Sequence, residues 1–355
     1  MKVSIIVGGK FHAFNLAQQI NKNYFLNQII TSYPKYKLKK YGINRNRITS
    51  IILKEILLKL FNKLSFINYI FDYNYLLCQY FDYKASKKIN YENTDILVGW
   101  SGFSKICFTR AKKYNCIKIL ERGSSHIRFQ KEILIQEYND LGIVPNVPSE
   151  KMISKEIEEY DLADFICVPS QYVKESFIKY GIKEDKIIKV PYGVDLKEFH
   201  LIKNEKKKNN KFRIISAGSI SIRKGSHYLL EAFLNLNLPN SELILVGDVS
   251  PEFQKIKKKY SHIANIKFVK KQKQEVLKYY YNNSDLFILC SIEEGLAMVQ
   301  AQAMACGLPV ICTTNTGGSE IVDDDISGYI IPIRNIEILK DKIKILYNNR
   351  VKLEE

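Results

Sequence analysis

Short apolar runs alternate with longer amphipathic stretches along most of the chain. Lys2 to Val7, Asp95 to Trp100, Ile117 to Glu121, Asp164 to Val168, Phe212 to Ala217, Glu242 to Gly247, Lys267 to Val269 and Asp285 to Cys290 are runs of the kind that strands buried on both faces need, as is Val310 to Thr313. Lys186 to Pro191 reads as one more short strand. The intervening stretches predict helices from near Ala13 through Ile20, and over Ile51 to Leu64, Glu156 to Ala163, Ser170 to Tyr180, His227 to Asn235, Met298 to Cys306 and Ile336 to Tyr347. Repeated strand-then-helix units predict an α/β protein with two Rossmann-like, doubly wound parallel sheets. Leu201 to Asn210 is polar, lysine-rich and without periodicity, so a linker is expected there, between a domain at 1–200 and a domain at 211–355.

Ser291 to Pro332 carries the densest set of signals. The strand ending at Cys290 runs into Glu293-Glu294-Gly295, which is expected to open a helix; Gly307 sits where a left-handed C′ residue belongs, and Pro309 stops the helix before the next strand. A helix N-terminus at the carboxyl end of a parallel strand offers unpaired N–H groups and partial positive charge, which suits a diphosphate. Glu294 beside such a site either caps the helix or accepts hydrogen bonds from a hydroxyl-rich group attached to the phosphate. Spacing alone leaves both open.

Composition narrows the class. A chain of 355 residues suits two domains, and a formal charge of +17 points to an anionic partner or to a lysine-rich genome bias. The seven cysteines form no C-x-x-C pair and fall mostly in apolar runs, which fits a reducing cytoplasm. A strand begins at Lys2 with no signal peptide before it, and no window is long and apolar enough to span a bilayer. Between Lys35 and Lys63 nine basic residues stand against Glu55 alone. Within that stretch Lys54, Glu55, Lys59, Asn62 and Lys63 share one face of the helix from Ile51, and the aromatic segment Phe66 to Tyr83 continues the pattern. Two readings fit: an amphipathic helix on an anionic membrane, or an outer helix with a solvated lysine face.

Three further loops follow strands. Gly8-Gly9 closes the first strand, but the pattern is not G-x-G-x-x-G, so no nicotinamide cofactor is expected. Glu121-Arg122-Gly123-Ser124-Ser125-His126 is a polar loop in which Arg122 could approach a phosphate, while His126 could meet a substrate hydroxyl or serve a structural role. Gly218 to Gly225 contains Arg223 and Lys224. Asp323-Asp324-Asp325 contains a D-x-D but leads into Ser327-Gly328, so it reads as a solvated loop rather than a metal site.

Glu294-Gly295 followed by Gln302-Ala303-Met304-Ala305-Cys306-Gly307-Leu308-Pro309-Val310-Ile311 resembles the E-G…E-A-M-A-C-G-x-P-V-I signature of the retaining family 4 glycosyltransferases, also described as glycosyl transferases group 1. Pro191-Tyr192-Gly193-Val194-Asp195, Arg223-Lys224-Gly225 and Gly317-Gly318 before Glu320 are similar to that family's recurring positions, so the likeness runs over roughly residues 155 to 332. The resemblance implies a GT-B fold, two Rossmann-like domains facing a central cleft. It also implies hexosyl transfer from a nucleotide-diphosphate sugar to a hydroxyl acceptor with retention, in polysaccharide or lipopolysaccharide biosynthesis. By the same resemblance Glu294 and His126 are catalytic, with Glu294 at the donor sugar hydroxyls or the diphosphate region and His126 at the transferring sugar. Lys224, Arg223, Gly295 and Leu296 bind the diphosphate, and Gln302 the ribose. Gly8, Gly9, Arg122, Ser219, Gly317 and Gly318 belong to donor and acceptor loops.

No metal or other cofactor is expected, and the acceptor is a saccharide or glycolipid. The protein is expected in the cytoplasm, peripheral on the inner face of the plasma membrane, with no nucleic-acid partner because no recognition module accompanies the basic stretch. Two departures stand out: Gln302 replaces the family's second glutamate, and Ser219 stands where many members have arginine. They keep open a weakly active donor-binding partner subunit, or a nucleotide-sugar epimerase of the same fold. The fold usually ends in a helix returning to the N-terminal domain, and this chain is expected to lack it.

Overall fold

The computed structural model describes residues 1–63, 72–202 and 211–349. Leu64, the beginning of the aromatic segment at Phe66 and most of the expected linker lie outside the described residues. Two units are resolved. The first comprises Met1–Arg122, Pro148–Cys167 and Ile182–Ile188; the second comprises Gly123–Val147, Val168–Gly181 and Lys189–Glu355.

In the first unit the strands are β1 (Val3–Val7), β2 (Leu26–Thr31), β3 (Ile48–Ser50), β4 (Ile96–Trp100), β5 (Ile117–Glu121), β6 (Phe165–Val168) and β7 (Ile187–Lys189), ordered β3-β2-β1-β4-β5-β6-β7. The pairs from β3 to β6 are parallel. Its helices are α1 (Ala13–Lys22), α2 (Leu53–Lys63), α3 (Tyr73–Ser86) and α4 (Lys105–Ala111). Next along the chain come α5 (Ile127–Asp140) in the second unit, α6 (Glu150–Leu162) in the first, and α7 (Gln171–Lys179) in the second.

Six parallel strands form the second sheet: β8 (Phe212–Ala217), β9 (Ser241–Val246), β10 (Ile266–Val269), β11 (Leu286–Leu289), β12 (Val310–Thr313) and β13 (Gly328–Ile331), ordered β10-β9-β8-β11-β12-β13. With them go α8 (Ser226–Leu236), α9 (Gln254–Tyr260), α10 (Gln274–Asn282), α11 (Met298–Ala305) and α12 (Ile336–Asn348). The sheet is covered on both faces, which is why its strands read as apolar runs. Ile214, Leu243, Leu245 and Ile288 pack with Leu229, Phe233, Leu339 and Ile343 on one side. Ile215, Ile244, Phe287 and Val310 pack with Leu277, Tyr281 and Ala303 on the other.

Leu134 and Tyr138 of α5 join the first of these cores, so Gly123–Val147 packs with the second sheet although it precedes the expected linker. Sequence order and packing diverge because α5 is stitched there by charge. Glu137, fully buried, accepts from His227 Nε2 at 2.9 Å and from Arg334 Nε at 2.7 Å. Ser170 caps α7 as expected, its Oγ accepting from Val173 N. Asp323 to Asp325 forms the expected turn, in which Asp323 O accepts from Ser327 N and Asp324 Oδ1 from Ile330 N.

The amphipathic reading of α2 needs correction at Lys54. Its side chain is buried, not part of a solvated basic face: Nζ donates to Gly8 O at 2.8 Å and to Glu55 Oε1 at 2.9 Å, over the Phe103 ring. Lys59 and Asn62 of the expected polar face are exposed, but so are the apolar Leu53, Ile56 and Leu60, together with Ile52 just before the helix. Among the described residues no helix is long and apolar enough to cross a membrane.

Candidate functional site

Strand order reverses between β8 and β11 in the second sheet, and an open parallel sheet forms its ligand crevice outside the carboxyl ends of the strands at such a point. The loops there are Gly218–Gly225 after β8 and Cys290–Ala297 after β11, and they are joined directly, since Ile292 N donates to Arg223 O at 2.9 Å. Gly225 has φ +61° and lies against the Cys290 carbonyl where a Cβ would collide, so only glycine lets the two loops approach.

Arg223-Lys224 faces Glu293-Glu294 as two ion pairs. Lys224 Nζ contacts the Glu294 carboxylate, both side chains being about one-sixth exposed at 18% and 17%. Burial first, and the Arg223 charge second, push Lys224 down to about 7, while Glu293 pulls it up. Arg223 donates from Nη2 to Glu293 Oε2 at 2.8 Å, from Nε to Glu293 O at 3.1 Å and from Nη2 to Ser124 Oγ at 3.1 Å. The guanidinium was expected to be a second phosphate cation. Its charge is balanced by a fully buried carboxylate, and one-third of the Arg223 side chain, 33%, stays exposed.

Glu293 is the residue that sequence reasoning missed. With no solvent exposure it also accepts from Ser125 N at 3.0 Å, Ser125 Oγ at 2.7 Å and Gln130 Nε2 at 2.8 Å. Burial raises its pKa, but Arg223, then Gln130 and Ser125, outweigh that and hold the carboxyl below its ordinary value. The one local hint was the doubled acid of Glu293-Glu294; the partners are 163 and 168 residues away.

Glu294 does not cap a helix. The helix α11 starts at Met298 with Ala297 as its N-cap, because Glu294 N and Ala297 N donate across to Asn315 O and Thr316 O, which holds 294–297 as a loop. Gly295 therefore lies three residues before the helix instead of opening it, and its carbonyl accepts from Ser170 Oγ at 2.7 Å. Leu296 is buried beside it, and Gln302 is buried on α11 itself. Gly318–Glu320 forms a single 3-10 turn; Gly317 before it has φ +66° and the Gly318 amide donates to Thr316 Oγ1. Ser219 is exposed on the β8 loop.

At the Glu121–His126 loop the Arg122 and His126 side chains both have protein partners, and for His126 these fit the structural role left open by the sequence. Arg122 is turned inward within the first unit, Nη1 donating to Glu156 Oε2 at 2.5 Å, with Ser101 Oγ and Tyr160 OH on the same oxygen. His126 is the N-cap of α5: its Nδ1 accepts from Arg128 N at 3.3 Å, and its buried ring stacks on Tyr180 at 4.5 Å. The task its contacts assign is positioning α5. In the first unit Gly8 packs under the Phe103 ring, and the Gly8 and Gly9 carbonyls accept from Lys54 and Thr31.

Residues 198–355 match the family model described as glycosyl transferases group 1. The chain is 25% identical over 283 residues to an uncharacterized glycosyltransferase of Methanocaldococcus jannaschii, covering 77% of this chain and 68% of that one. It is 29% identical over 223 residues to a probable sucrose-phosphate synthase of Thermosipho melanesiensis, covering 57% of this chain and about half, 51%, of the relative. Among solved structures, Anabaena HepE in complex with UDP-glucose superposes with a TM-score of 0.71 at 14% identity, over 100% of this chain and 92% of that one. At that identity the likeness speaks to the fold.

Proposed function

We propose that the chain is a glycosyltransferase of group 1, a hexosyltransferase that draws on a nucleotide-sugar donor, that the crevice around Lys224 and Glu294 holds that donor, that the carboxyl-end loops of the first unit hold a hydroxyl acceptor, and that the anomeric configuration is retained. The observation that carries the reading is the Lys224–Glu294 pair at the point where the second sheet reverses its strand order. A diphosphate arriving there exchanges partners. Lys224 turns to the phosphate oxygens, and Glu294 is released to accept hydrogen bonds from hydroxyls of the donor sugar.

As the bond to the anomeric carbon breaks, negative charge grows on the leaving diphosphate. Lys224 and the backbone around Gly295 and Leu296, ahead of α11, are positioned to stabilise it in a site that needs no reorganisation. Arg223, held by Glu293, fixes the height of the Lys224 loop, and His126 fixes α5 beside it. Gln302 offers an amide to the ribose hydroxyls, and Ser219, Gly317 and Gly318 form the rim. In this reading the cation is Lys224 and no metal is required, so turnover persists in EDTA.

The acceptor is a lipid-linked or cell-surface saccharide, met by a peripheral enzyme on the cytoplasmic face of the membrane. Support comes from the exposed apolar residues Ile52, Leu53, Ile56 and Leu60 in a unit that also exposes Lys37, Lys39, Lys40 and Lys59. The test is a panel of nucleotide sugars with glycolipid acceptors, reading nucleoside diphosphate release and the product's anomeric configuration by NMR. Glu294→Ala is expected to lose at least about a hundredfold in turnover with an unchanged melting temperature. Near wild-type turnover in that variant would refute the assignment.

A further inference from the structure

The first sheet reverses its strand order between β1 and β4, so the rule that locates the donor crevice in the second unit points to the loops after Val7 and Trp100 in the first. There the side chain of His12 is fixed from two sides. Its Nε2 lies 3.2 Å from Glu121 Oε2 at the end of β5, and its ring centroid lies 5.0 Å from that of Trp100 at the end of β4. The His12 side chain is partly exposed at 17% and stands against Glu121, which is buried with 10% of its side chain exposed, so the imidazole is the face of the pair that meets solvent. Its neighbour Phe11 is 57% exposed and has φ +40°. A bulky side chain in left-handed backbone is an outlier that costs on the order of 1–3 kcal/mol and persists where the surroundings impose it, most often at ligand sites. An aromatic ring is thus held out in solvent, on unfavourable backbone, beside an oriented histidine–carboxylate pair.

The chemistry of the three residues selects the ligand. Glu121 repels a phosphate or carboxylate, and one imidazole with one carboxylate is too few groups for a metal cage. A neutral polyol matches, because hydroxyls both donate and accept and so can meet Glu121 and His12 together, while the C–H face of a sugar ring covers Phe11. We infer that Phe11, His12 and Glu121 form the acceptor saccharide subsite, His12 binding the acceptor's hydroxyl, Glu121 orienting the imidazole and Phe11 carrying the sugar face. This rests on the reading that the first unit's carboxyl-end loops hold the acceptor.

The experiment measures acceptor KM, kcat and donor affinity by titration calorimetry for wild type, Phe11→Ala, His12→Gln and Glu121→Gln, using the glycolipid acceptor that wild type turns over. Acceptor KM is expected to rise about tenfold or more in Phe11→Ala and His12→Gln and less in Glu121→Gln, with donor affinity unchanged. Acceptor KM within twofold of wild type in both Phe11→Ala and His12→Gln overturns the subsite. Equal losses of donor and acceptor affinity, with a lowered melting temperature, overturn it too and make the pair a packing element. Should wild type release no nucleoside diphosphate with any donor and acceptor, the transferase reading itself fails and the subsite with it.

Discussion

Replacing Glu293 by glutamine tests whether the donor loop is held by one buried carboxylate. The two oxygens accept four hydrogen bonds, from Ser125 N, Ser125 Oγ, Gln130 Nε2 and Arg223 Nη2. An amide keeps one acceptor oxygen. If that oxygen stays with Arg223 and Gln130, the new NH2 faces Ser125, whose hydroxyl can turn to accept but whose backbone N–H cannot. The variant then carries one donor-to-donor clash, about 1–3 kcal/mol, and a guanidinium without its counter-charge. Breaking a buried pair costs about 3–5 kcal/mol, but Arg223 is one-third exposed at 33% and recovers part of its hydration, so about 3 kcal/mol is the expected loss. In a unit of this size that lowers the melting temperature by roughly 6–12 °C.

The pH dependence gives a second readout. The folded-state pKa of Glu293 is lowered, so its contribution is fully present above the unfolded value near 4.5 and is lost as pH falls through the folded pKa below it. Thermal melts of wild type and Glu293→Gln are therefore expected to differ at pH 7 and to converge toward pH 3. A variant melting within 1 or 2 °C of wild type at pH 7 (about 1 kcal/mol or less), or a gap that persists undiminished in acid, would refute the reasoning.

In the proposed reading Lys224 makes donor binding a proton-linked event. Its pKa, near 7 without donor, rises beside a diphosphate, so binding takes up a proton above pH 7 and affinity falls by up to about tenfold per pH unit there. Calorimetry in buffers of different ionisation enthalpy reads that uptake, and Lys224→Met should abolish it. For the membrane surface, Ile56→Glu and Leu60→Glu are expected to reduce flotation with phosphatidylglycerol vesicles severalfold or more. Lys54→Met should lower the melting temperature and leave flotation intact, since that ammonium is buried against Gly8.

Much of the architecture was legible without coordinates, for a local reason. A strand covered on both faces must be apolar throughout, so Phe212 to Ala217 and Val310 to Thr313 were marked at their observed ends. Left-handed backbone with proline nearby marks a helix end, so Gly307 and Pro309 closed α11 within a residue. The polar strand β2, Leu-Asn-Gln-Ile-Ile-Thr, and the short strands β3 and β13 escaped, because neither composition nor length set them apart from a loop.

Where a charged side chain points is not a local property. Lys54 has the helical spacing of a solvated lysine, and what buries it is the Gly8 carbonyl 46 residues earlier. Arg122 is drawn inward by Glu156, 34 residues on, and Arg223 by Glu293, 70 residues on. Sequence placed Glu294 in the loop after β11 with two roles open. The crossing of that loop with Asn315 and Thr316 decided against capping, because it occupies the amides of 294 and 297 and delays the helix to Met298. Residue order alone determined two parallel sheets and the loops that follow their strands, since periodicity and turn chemistry act over a few residues, whereas the strand order, and so the point at which each sheet reverses, came from the fold. Tertiary structure decided which charge meets which, because a buried ion needs a counter-ion wherever the chain can bring one.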